Sequence, residues 1–220
     1  MVKQQLLTKF MNIIEKMNWR YATKKFDINK KISSENLATL LEVLRLSPSS
    51  YGLQPWKFIV VNNPDIRAKI KEVAYGQTQI TDASQIIVFA NKTNIDANLV
   101  DEYMNFVAKE KGIDVSLLEG FAGMIKGSFT GKSIGDLKGW AACQTYLAAG
   151  NLLTTCAVLD IDACPMEGFD RSKVDEILGL SSLGLESKMI VAMGYRAEDD
   201  ADATKKKIRF PKEEVFIEIN

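Results

Sequence analysis

One stretch of the chain constrains its fold more than any other, because no charged residue occurs between Lys138 and Asp160 although 25% of all residues are charged. Small and apolar residues occupy every side of the helix that this stretch would form. Such a helix is expected to be buried on all sides, either within a large core or against a partner subunit. A membrane span over residues 140–159 is disfavoured, because Gln144, Asn151 and several threonines interrupt it.

Length and charge narrow the class of protein. The 220 residues suit one domain, 1–220, in which residues 1–10 are a candidate N-terminal extension of the first helix. With 28 basic and 28 acidic residues, the net charge of zero argues against a nucleic-acid or membrane-surface partner. The chain has no histidine, which excludes Ser-His-Asp and Cys-His catalysis and histidine-bearing zinc sites. We expect no metal site.

The cysteines point to a reducing compartment. Cys143, Cys156 and Cys164 are odd in number and form no CxxC pair, so we expect buried free thiols rather than disulfides or metal ligands. A cytoplasmic location fits this pattern best. The N-terminal residues alternate at helical spacing, which is typical of an amphipathic helix rather than a signal peptide.

The predicted elements mix long helical stretches with a few strands. Helices are expected at 3–17, from a cap at Ser33 or Ser34, from Asn63 to about Ala74, with interruptions over 96–138, over the uncharged stretch, and at 169–180. Strands are expected at 56–61, 84–90, 187–195 and 214–220. This pattern predicts an α+β fold, a central mixed β-sheet wrapped by helices. The last strand, far from the others in sequence, is a candidate for pairing with the sheet of another subunit.

Two short segments are predicted to be rigid loops. Residues 47–56 contain two prolines, a glycine and three serines, and residues 164–168 contain Pro165 and Gly168, which disfavour a continued helix or a central strand. Both segments are rich in backbone amides and lie next to apolar elements. Gln54 and the amides near Glu167 could hydrogen-bond a polar heterocycle, although each segment alone is equally well explained as a turn.

Two basic clusters could hold an anion, although each alone is better explained as solvated surface. They comprise Arg20, Lys24 and Lys25 in one segment and Lys205, Lys206, Lys207 and Arg209 in another. Arg209 stands out because it lies in an ordered-looking apolar segment and offers a bidentate fork to a phosphate. Residues 127–133 look like a P-loop but have one residue too few between the glycines and no preceding strand, so we reject that motif.

Taken together, five motifs in order resemble the FMN-dependent nitroreductase family over residues 11–220. They are Arg20-Tyr21-Ala22-Thr23-Lys24, the Ser-Pro-Ser-Ser-x-x-x-Gln-Pro-Trp loop at 47–56, Asp82-Ala83-Ser84 with Gln77 and Gln79 ahead of it, Pro165-x-Glu167-Gly168-Phe169, and Lys207-x-Arg209-x-Pro211. The similarity is nearest to the oxygen-insensitive NAD(P)H nitroreductase and dihydropteridine reductase-like branch.

The resemblance implies a nitroreductase-like fold in an intertwined homodimer with C-terminal strand exchange. It implies FMN as cofactor, NADH or NADPH as electron donor, and ping-pong reduction of nitroaromatics, quinones or related small electron acceptors. Two alternatives stay open at this point. One is a specialised flavoenzyme of the same fold, such as a pterin reductase or a dehalogenase, and the other is a non-enzymatic flavin-binding redox sensor.

The resemblance also assigns roles to residues, none of them as a catalytic side chain, because the flavin carries the chemistry. Residues expected to bind the FMN phosphate and the polar edge of the flavin are Arg20, Lys24, Lys207 and Arg209. Those expected to reach FMN from the other subunit are Ser49, Ser50 and Gln54. Those expected to cover one flavin face are Pro165, Met166, Glu167 and Gly168, with the Glu167 amide near the reactive flavin nitrogen. Further expected cofactor contacts are Tyr21, Ala22, Pro48, Tyr51, Gly52, Gln77 and Gln79, and the expected acceptor pocket is Tyr75, Phe121 and Met124.

Two of these positions depart from the family pattern. Ala22 stands where the family often has a hydroxyl residue, and Gly52 where this branch often has asparagine. Each departure removes a side-chain contact to the cofactor and leaves the catalytic chemistry intact.

Overall fold

A four-stranded antiparallel sheet forms the centre of the computed structural model, which describes residues 12–219. The strands are β1 (Trp56–Val60), β2 (Gln85–Lys92), β3 (Asp162–Met166) and β4 (Leu185–Gly194), in the order β1-β2-β4-β3. The expected α+β class is confirmed, but the expectation of a mixed sheet is wrong for these strands. β2 and β3 run in the same direction, yet β4 lies between them and pairs antiparallel with both.

Nine helices are described around this sheet. They are α1 (Asn12–Trp19), α2 (Ser34–Arg45), α3 (Pro64–Val73), α4 (Gln79–Asp82), α5 (Ala97–Lys111), α6 (Glu119–Phe129), α7 (Ile134–Val158), α8 (Arg171–Leu178) and α9 (Lys212–Val215). Short 3₁₀ turns occupy Ser50–Gly52, Val115–Leu118, Ser181–Leu183 and Ala201–Thr204. The predicted helix 3–17 is confirmed from residue 12 onward, and its earlier part lies outside the described residues.

Both faces of the sheet are buried. On β2, Ile87 and Phe89 pack on the side of α2 and α7, whereas Ile86 and Val88 pack on the side of α3 and α8. All four side chains are fully buried. A strand covered on both faces carries a continuous apolar run, which is why the pattern of residues 84–90 predicted this strand correctly.

Local capping groups fix where several helices begin. Ser33 accepts a hydrogen bond from the Asn36 amide and caps α2, as the sequence predicted. Asn63 caps α3 by accepting from the amides of Asp65 and Ile66.

Helix α7, which contains the uncharged stretch, is covered by this chain on one side only. Its buried side faces the sheet and α2, while five small or apolar residues recur at helical spacing on the other side and are exposed. They are Cys143, Tyr146, Leu147, Gly150 and Val158. The described elements of this chain cover only one face of α7, so burial within the chain's own core is excluded for the other face, and burial of that face against a partner subunit stays a prediction. No helix within residues 12–219, α7 included, is both long and apolar enough to cross a membrane.

The segment 164–168 is not wholly a loop as expected, since its first three residues belong to β3. Pro165 stands opposite Val191 in the pairing of β3 with β4. β3 is an edge strand, and proline is tolerated there because one side of the strand needs no amide donor. The chain then turns through Glu167 and Gly168 into α8.

The expected strand at 214–220 does not form in the described part of the chain. Residues 212–215 form α9, and the following residues are extended and highly exposed, with Ile217 91% and Ile219 95% accessible. A strand needs a neighbour to satisfy its backbone groups, and this chain offers none at that position.

The cysteines are free, and two of them are buried as predicted. Cys156 and Cys164 are buried, whereas Cys143 is exposed on α7. Burial raises the pKa of the Cys156 thiol to about 12, so it stays protonated and acts as a small apolar group.

Arg67 holds the segment before β2, and its removal tests the packing there. Its side chain is 9% exposed and donates to the carbonyl oxygens of Ile80, Ala83 and Ser84. Arg67→Met leaves these oxygens without that donor and is expected to lower the free energy of unfolding by about 2–4 kcal/mol. Lys69→Met, on the exposed side of the same helix, is the matched control. Equal denaturant midpoints for the two variants would contradict this role.

Candidate functional site

A cavity of about 340 Å³ lies where the end of α1 meets the segment after β4. Six basic residues line this cavity, which we call the cation pocket: Arg20, Lys24, Lys205, Lys206, Lys207 and Arg209. The remaining lining residues are Asn18, Trp19, Tyr21, Ala22, Asp202 and Ala203. The fold thus brings together two basic segments that lie about 180 residues apart in sequence.

Most of the positive charge in the cation pocket is uncompensated. Asp202 pairs with Lys205, and Lys25, beside the pocket, pairs with Asp199. Within residues 12–219, no carboxylate lies at ion-pair distance from the other five basic groups of the pocket: Arg20, Lys24, Lys206, Lys207 and Arg209. Ammonium and guanidinium groups in this arrangement fit a phosphate group, which offers both charge and several acceptor oxygens.

The pKa of Lys207 reflects repulsion among the basic groups of the cation pocket. Its ammonium donates to the carbonyl oxygens of Met17 and Arg20, at the end of α1. Burial, and then the neighbouring Arg20 and Arg209, hold the pKa of Lys207 below its ordinary value. A bound anion would relieve that repulsion, so the pocket is electrostatically prepared for one.

The cation pocket is connected to β3, the strand that leads into the predicted flavin-covering segment. An isolated parallel bridge joins Ala22 to Ala163, and the Thr23 amide donates to the Ala163 carbonyl at 3.4 Å. Pro165 follows two residues later on β3. Ala22, which lines the pocket, is therefore held against the strand that carries Pro165.

Two further residues that the resemblance assigns to the site, Gln77 and Tyr75, lie next to Gly168. Gln77 donates to the carbonyl oxygen of Gly168 at 2.6 Å and to that of Ala74 at 3.0 Å. Tyr75 lies beside Gly168, is 79% exposed and has a φ of 55°. Positive φ in a bulky residue is strained and is found mainly where function requires it. Gln79, by contrast, is buried in α4 and does not line the cation pocket.

Glu167 faces an apolar groove beside α7. Its carboxylate pairs with Arg171 at 3.0 Å. Burial, followed by a hydrogen bond with Glu167, raises the pKa of Tyr146 to about 12. The groove has a volume of about 500 Å³ and is lined by Tyr146, Ala149, Gly150, Leu153, Pro165, Glu167 and Met189.

The loop after α2 forms a second, separate group of predicted site residues. The Ser50 amide donates to Oε1 of Gln144 at 2.8 Å, and the Gln54 amide donates to Oγ of Ser49 at 2.9 Å. Tyr51 and Gln54 have positive φ, 56° and 45°. The backbone of this loop is therefore strained, and these hydrogen bonds hold it in that conformation. Pro48 lies in the same loop and precedes its 3₁₀ turn.

Two of the three predicted acceptor-pocket residues lie on the side of this loop. Tyr51 makes an edge-to-face contact with Phe121, with ring centroids 6.5 Å apart. Met124 is exposed one turn further along α6. Tyr75, the third, lies with Gly168 instead.

Gly52 is required by its surroundings in this fold. Its φ is +74°, and a Cβ atom there would lie 2.3 Å from the hydroxyl of Tyr103. An asparagine at this position would be strained and would displace Tyr103. The departure from the family pattern at residue 52 thus coincides with a hydroxyl group that occupies the same space.

Within one chain, the two groups of site residues lie against different parts of α7. The loop at 47–55 contacts the middle of the helix through Gln144 and Asn151, whereas Asp160, just past the helix end, pairs with Lys16 on α1 beside the cation pocket. The helical rise of 1.5 Å per residue places Gln144 and the helix end at Val158 about 21 Å apart. No residue of the loop at 47–55 lines the cation pocket of its own chain.

Several pocket residues were not assigned from the sequence. Lys205 and Lys206 are predicted from the sequence only as members of a basic cluster that could hold an anion, and the resemblance assigns them no contact with the cofactor. Trp19 and Asp202 were missed, and no pattern marks them. Trp19 stacks on the guanidinium of Arg196, 4.2 Å from its ring centroid, which only the fold reveals.

Comparison with known proteins identifies the family. The model of the nitroreductase family matches residues 17–195. A Staphylococcus haemolyticus protein named as an NAD(P)H nitroreductase is 38% identical over 214 residues, covering 93% of this chain and 95% of that protein.

Solved structures share the fold. The nitroreductase YdfN of Bacillus subtilis has a TM-score of 0.83 at 20% identity, covering 97% of this chain and 100% of that one. A nitroreductase of Exiguobacterium sibiricum, in complex with FMN, has a TM-score of 0.78 at 23% identity, covering 96% and 97%. With its family match, its sequence relatives and its fold in agreement, the chain belongs to the nitroreductase family.

Proposed function

We propose that this protein is an FMN-dependent NAD(P)H oxidoreductase that reduces nitroaromatics, quinones or related small electron acceptors. The observation that carries the proposal is the cation pocket, whose wall is bridged at Ala22 to β3, the strand that leads to Pro165 and Gly168. A phosphate site next to a shaped, partly apolar segment suits a molecule with a phosphate at one end and a flat ring system at the other. The names of the sequence relatives and the FMN complex of a structural neighbour support this assignment.

The residues of this chain fit FMN, and the chemistry of each side chain indicates which portion of FMN it would contact. Arg20, Lys24, Lys207 and Arg209 would hold the phosphate, with Lys206 adding charge. Pro165 and Gly168 would cover one flavin face, with the Glu167 amide free to face the reactive nitrogen. Gln77 holds the Gly168 carbonyl in place, which fixes that segment.

FMN supplies hydride transfer chemistry when it is bound, and the chain supplies position and charge. The positive groups of the pocket favour the negatively charged form of a reduced cofactor. Tyr75 projects into solvent beside Gly168, where it would stack against a flat nicotinamide or acceptor. A single open site that serves donor and acceptor in turn would give ping-pong kinetics.

We further propose that the working protein is a homodimer in which each site uses both chains. The placement of the two groups of site residues along α7 supports this, because Ser49, Ser50 and Gln54 are not among the residues that line the cation pocket of their own chain. The uncovered face of α7, with Tyr146, Leu147 and Gly150, supplies an apolar surface suited to a second copy. Two antiparallel α7 helices would bring the loop of one chain to the pocket of the other.

The C-terminal residues fit the same assembly. Ile217 and Ile219 are almost fully exposed, Phe216 is 66% exposed, and β1 is an edge strand of the sheet. We propose that this segment crosses to the partner and pairs with its sheet, which would bury these side chains and satisfy their backbone. The three free thiols fit a cytoplasmic location.

The function is tested by flavin content and turnover. Purified protein is expected to be yellow, to lose its flavin absorbance on addition of NADH or NADPH, and to regain it with a nitroaromatic or a quinone. Initial rates against both substrates are expected to give parallel reciprocal plots. Colourless protein that FMN does not reconstitute would refute the proposal, and bound flavin that neither donor reduces would indicate a flavin-binding sensor.

The dimer is tested by charging the uncovered face of α7. Leu147→Lys is expected to convert the protein from twice the 24.5 kDa chain mass to the monomer mass in sedimentation equilibrium, because a buried lysine without a partner is strongly unfavourable. FMN is expected to be lost with the dimer. Leu183→Lys is the control, since Leu183 is also exposed but lies on a 3₁₀ turn outside the proposed interface. A dimer that survives Leu147→Lys with FMN bound would refute this arrangement.

A further inference from the structure

Two separate stretches of chain form the walls of the cation pocket, and one buried carboxylate joins them. The first wall is residues 20–25, and the second is residues 201–209. Asp200 stands between them and is only 6% exposed. It carries a negative charge beside a pocket that would bind a negatively charged phosphate.

The two oxygens of Asp200 serve different walls. Oδ2 accepts hydrogen bonds from the Tyr21 hydroxyl at 2.9 Å and from the amides of Lys24 and Lys25 at 2.9 and 3.1 Å. Oδ1 accepts from the Asp202 amide at 3.0 Å and so begins the turn that leads to Lys205. All four donors are satisfied by a single rigid carboxylate.

The charge state of Asp200 agrees with this geometry. Burial works to raise the pKa of its carboxyl, but hydrogen bonds from the amides of Lys25 and Asp202, the Tyr21 hydroxyl and the Lys24 amide hold it below its ordinary value. Burial and the same hydrogen bond raise the pKa of Tyr21. The carboxylate is ionised and Tyr21 is a donor at neutral pH, as the network requires.

We propose that Asp200 is a positioning residue for the cofactor phosphate, setting the spacing between Lys24 on one wall and the 205–209 segment on the other. This rests on the proposed function, in which the cation pocket holds the phosphate of FMN. Electrostatics alone makes the opposite prediction. A carboxylate near the pocket weakens anion binding through space, so its neutralisation would tighten FMN binding if Asp200 had no positioning role.

The Asp200→Asn variant distinguishes a positioning role of Asp200 from a purely electrostatic effect on phosphate binding. The amide keeps the size of the side chain but has one acceptor oxygen, and its NH₂ group would face amide donors on one wall. We expect FMN to bind at least about tenfold more weakly, from lost charge-assisted hydrogen bonds. Riboflavin, which lacks the phosphate, is expected to bind as it does to the unchanged protein. Titration of the full-length protein with each flavin, followed by flavin fluorescence, measures both constants.

Matched variants complete the experiment. Asp199→Asn removes the same charge from the adjacent residue, which is exposed and pairs with Lys25, and is expected to leave FMN affinity unchanged or slightly tighter. Arg209→Ala, which removes a charge from the pocket itself, is expected to weaken FMN but not riboflavin. If Asp200→Asn does not fold, Tyr21→Phe removes one donor to Oδ2 and is expected to give a smaller loss, again confined to FMN.

Three results would overturn the inference. FMN affinity that is equal or tighter in Asp200→Asn would show that only charge matters there. Equal losses for FMN and riboflavin would show a general structural role. Unchanged FMN affinity in Arg209→Ala would show that the phosphate lies elsewhere. A failure of the proposed function itself is distinguishable, because the unchanged protein would then bind neither flavin, or would bind FMN that neither NADH nor NADPH reduces.

Discussion

Five basic side chains without carboxylate partners in residues 12–219 share one small pocket, and the surrounding structure must hold them there against their repulsion. The carbonyl oxygens of Met17 and Arg20 accept from Lys207. Asp162, which is buried, pairs with Arg196 at 2.6 Å, and the Arg196 guanidinium also stacks on the aromatic rings at the end of α1. These contacts join α1, β3 and the end of β4 into one frame, and we propose that the charge that remains uncompensated favours an anionic cofactor.

The same frame bears on our proposal that each site uses a second chain. β3, which carries Pro165, is bridged to the wall of the cation pocket at Ala22, and the loop that carries Ser50 contacts the middle of α7. We propose that the uncovered apolar face of the long helix is where another copy brings its own loop to this pocket. On this account the unusual composition of α7 serves assembly, since a charge on that face would have to be buried between two subunits.

Much of the fold could be predicted because its causes are local. The cap at Ser33 and the apolar run of β2 act through neighbouring residues, so they are visible in the sequence. β3 was missed because the tolerance of an edge strand for Pro165 depends on its position in the sheet. The strand expected at the C-terminus was wrong for the single chain, because strand formation depends on a neighbour that this chain does not provide.

The candidate site also combines residues that could be predicted from local sequence with residues that only the tertiary structure reveals. Motifs identified Arg20, Lys24, Lys207 and Arg209, and the fold brings all four into one pocket. Asp200, in contrast, lies in a segment that the sequence presents as a charged linker, and charged linkers are usually solvated. Its burial and its four hydrogen bonds arise from tertiary structure, and no local pattern announces them.

The central claim is that each site is built from two chains, and mixed dimers test it most directly. One chain would carry Arg209→Ala with Arg20→Ala, which removes charge from its cation pocket. The other would carry Ser50→Asp, which places a negative charge on the loop. Each variant alone is expected to bind no FMN as a homodimer.

In the mixed dimer, a site shared between chains combines both lesions in one site and leaves the other site intact. The account therefore predicts one FMN per mixed dimer, measured by flavin absorbance against protein concentration after affinity purification through two different tags. A mixed dimer that binds no FMN would show that each site lies within a single chain and would contradict the account.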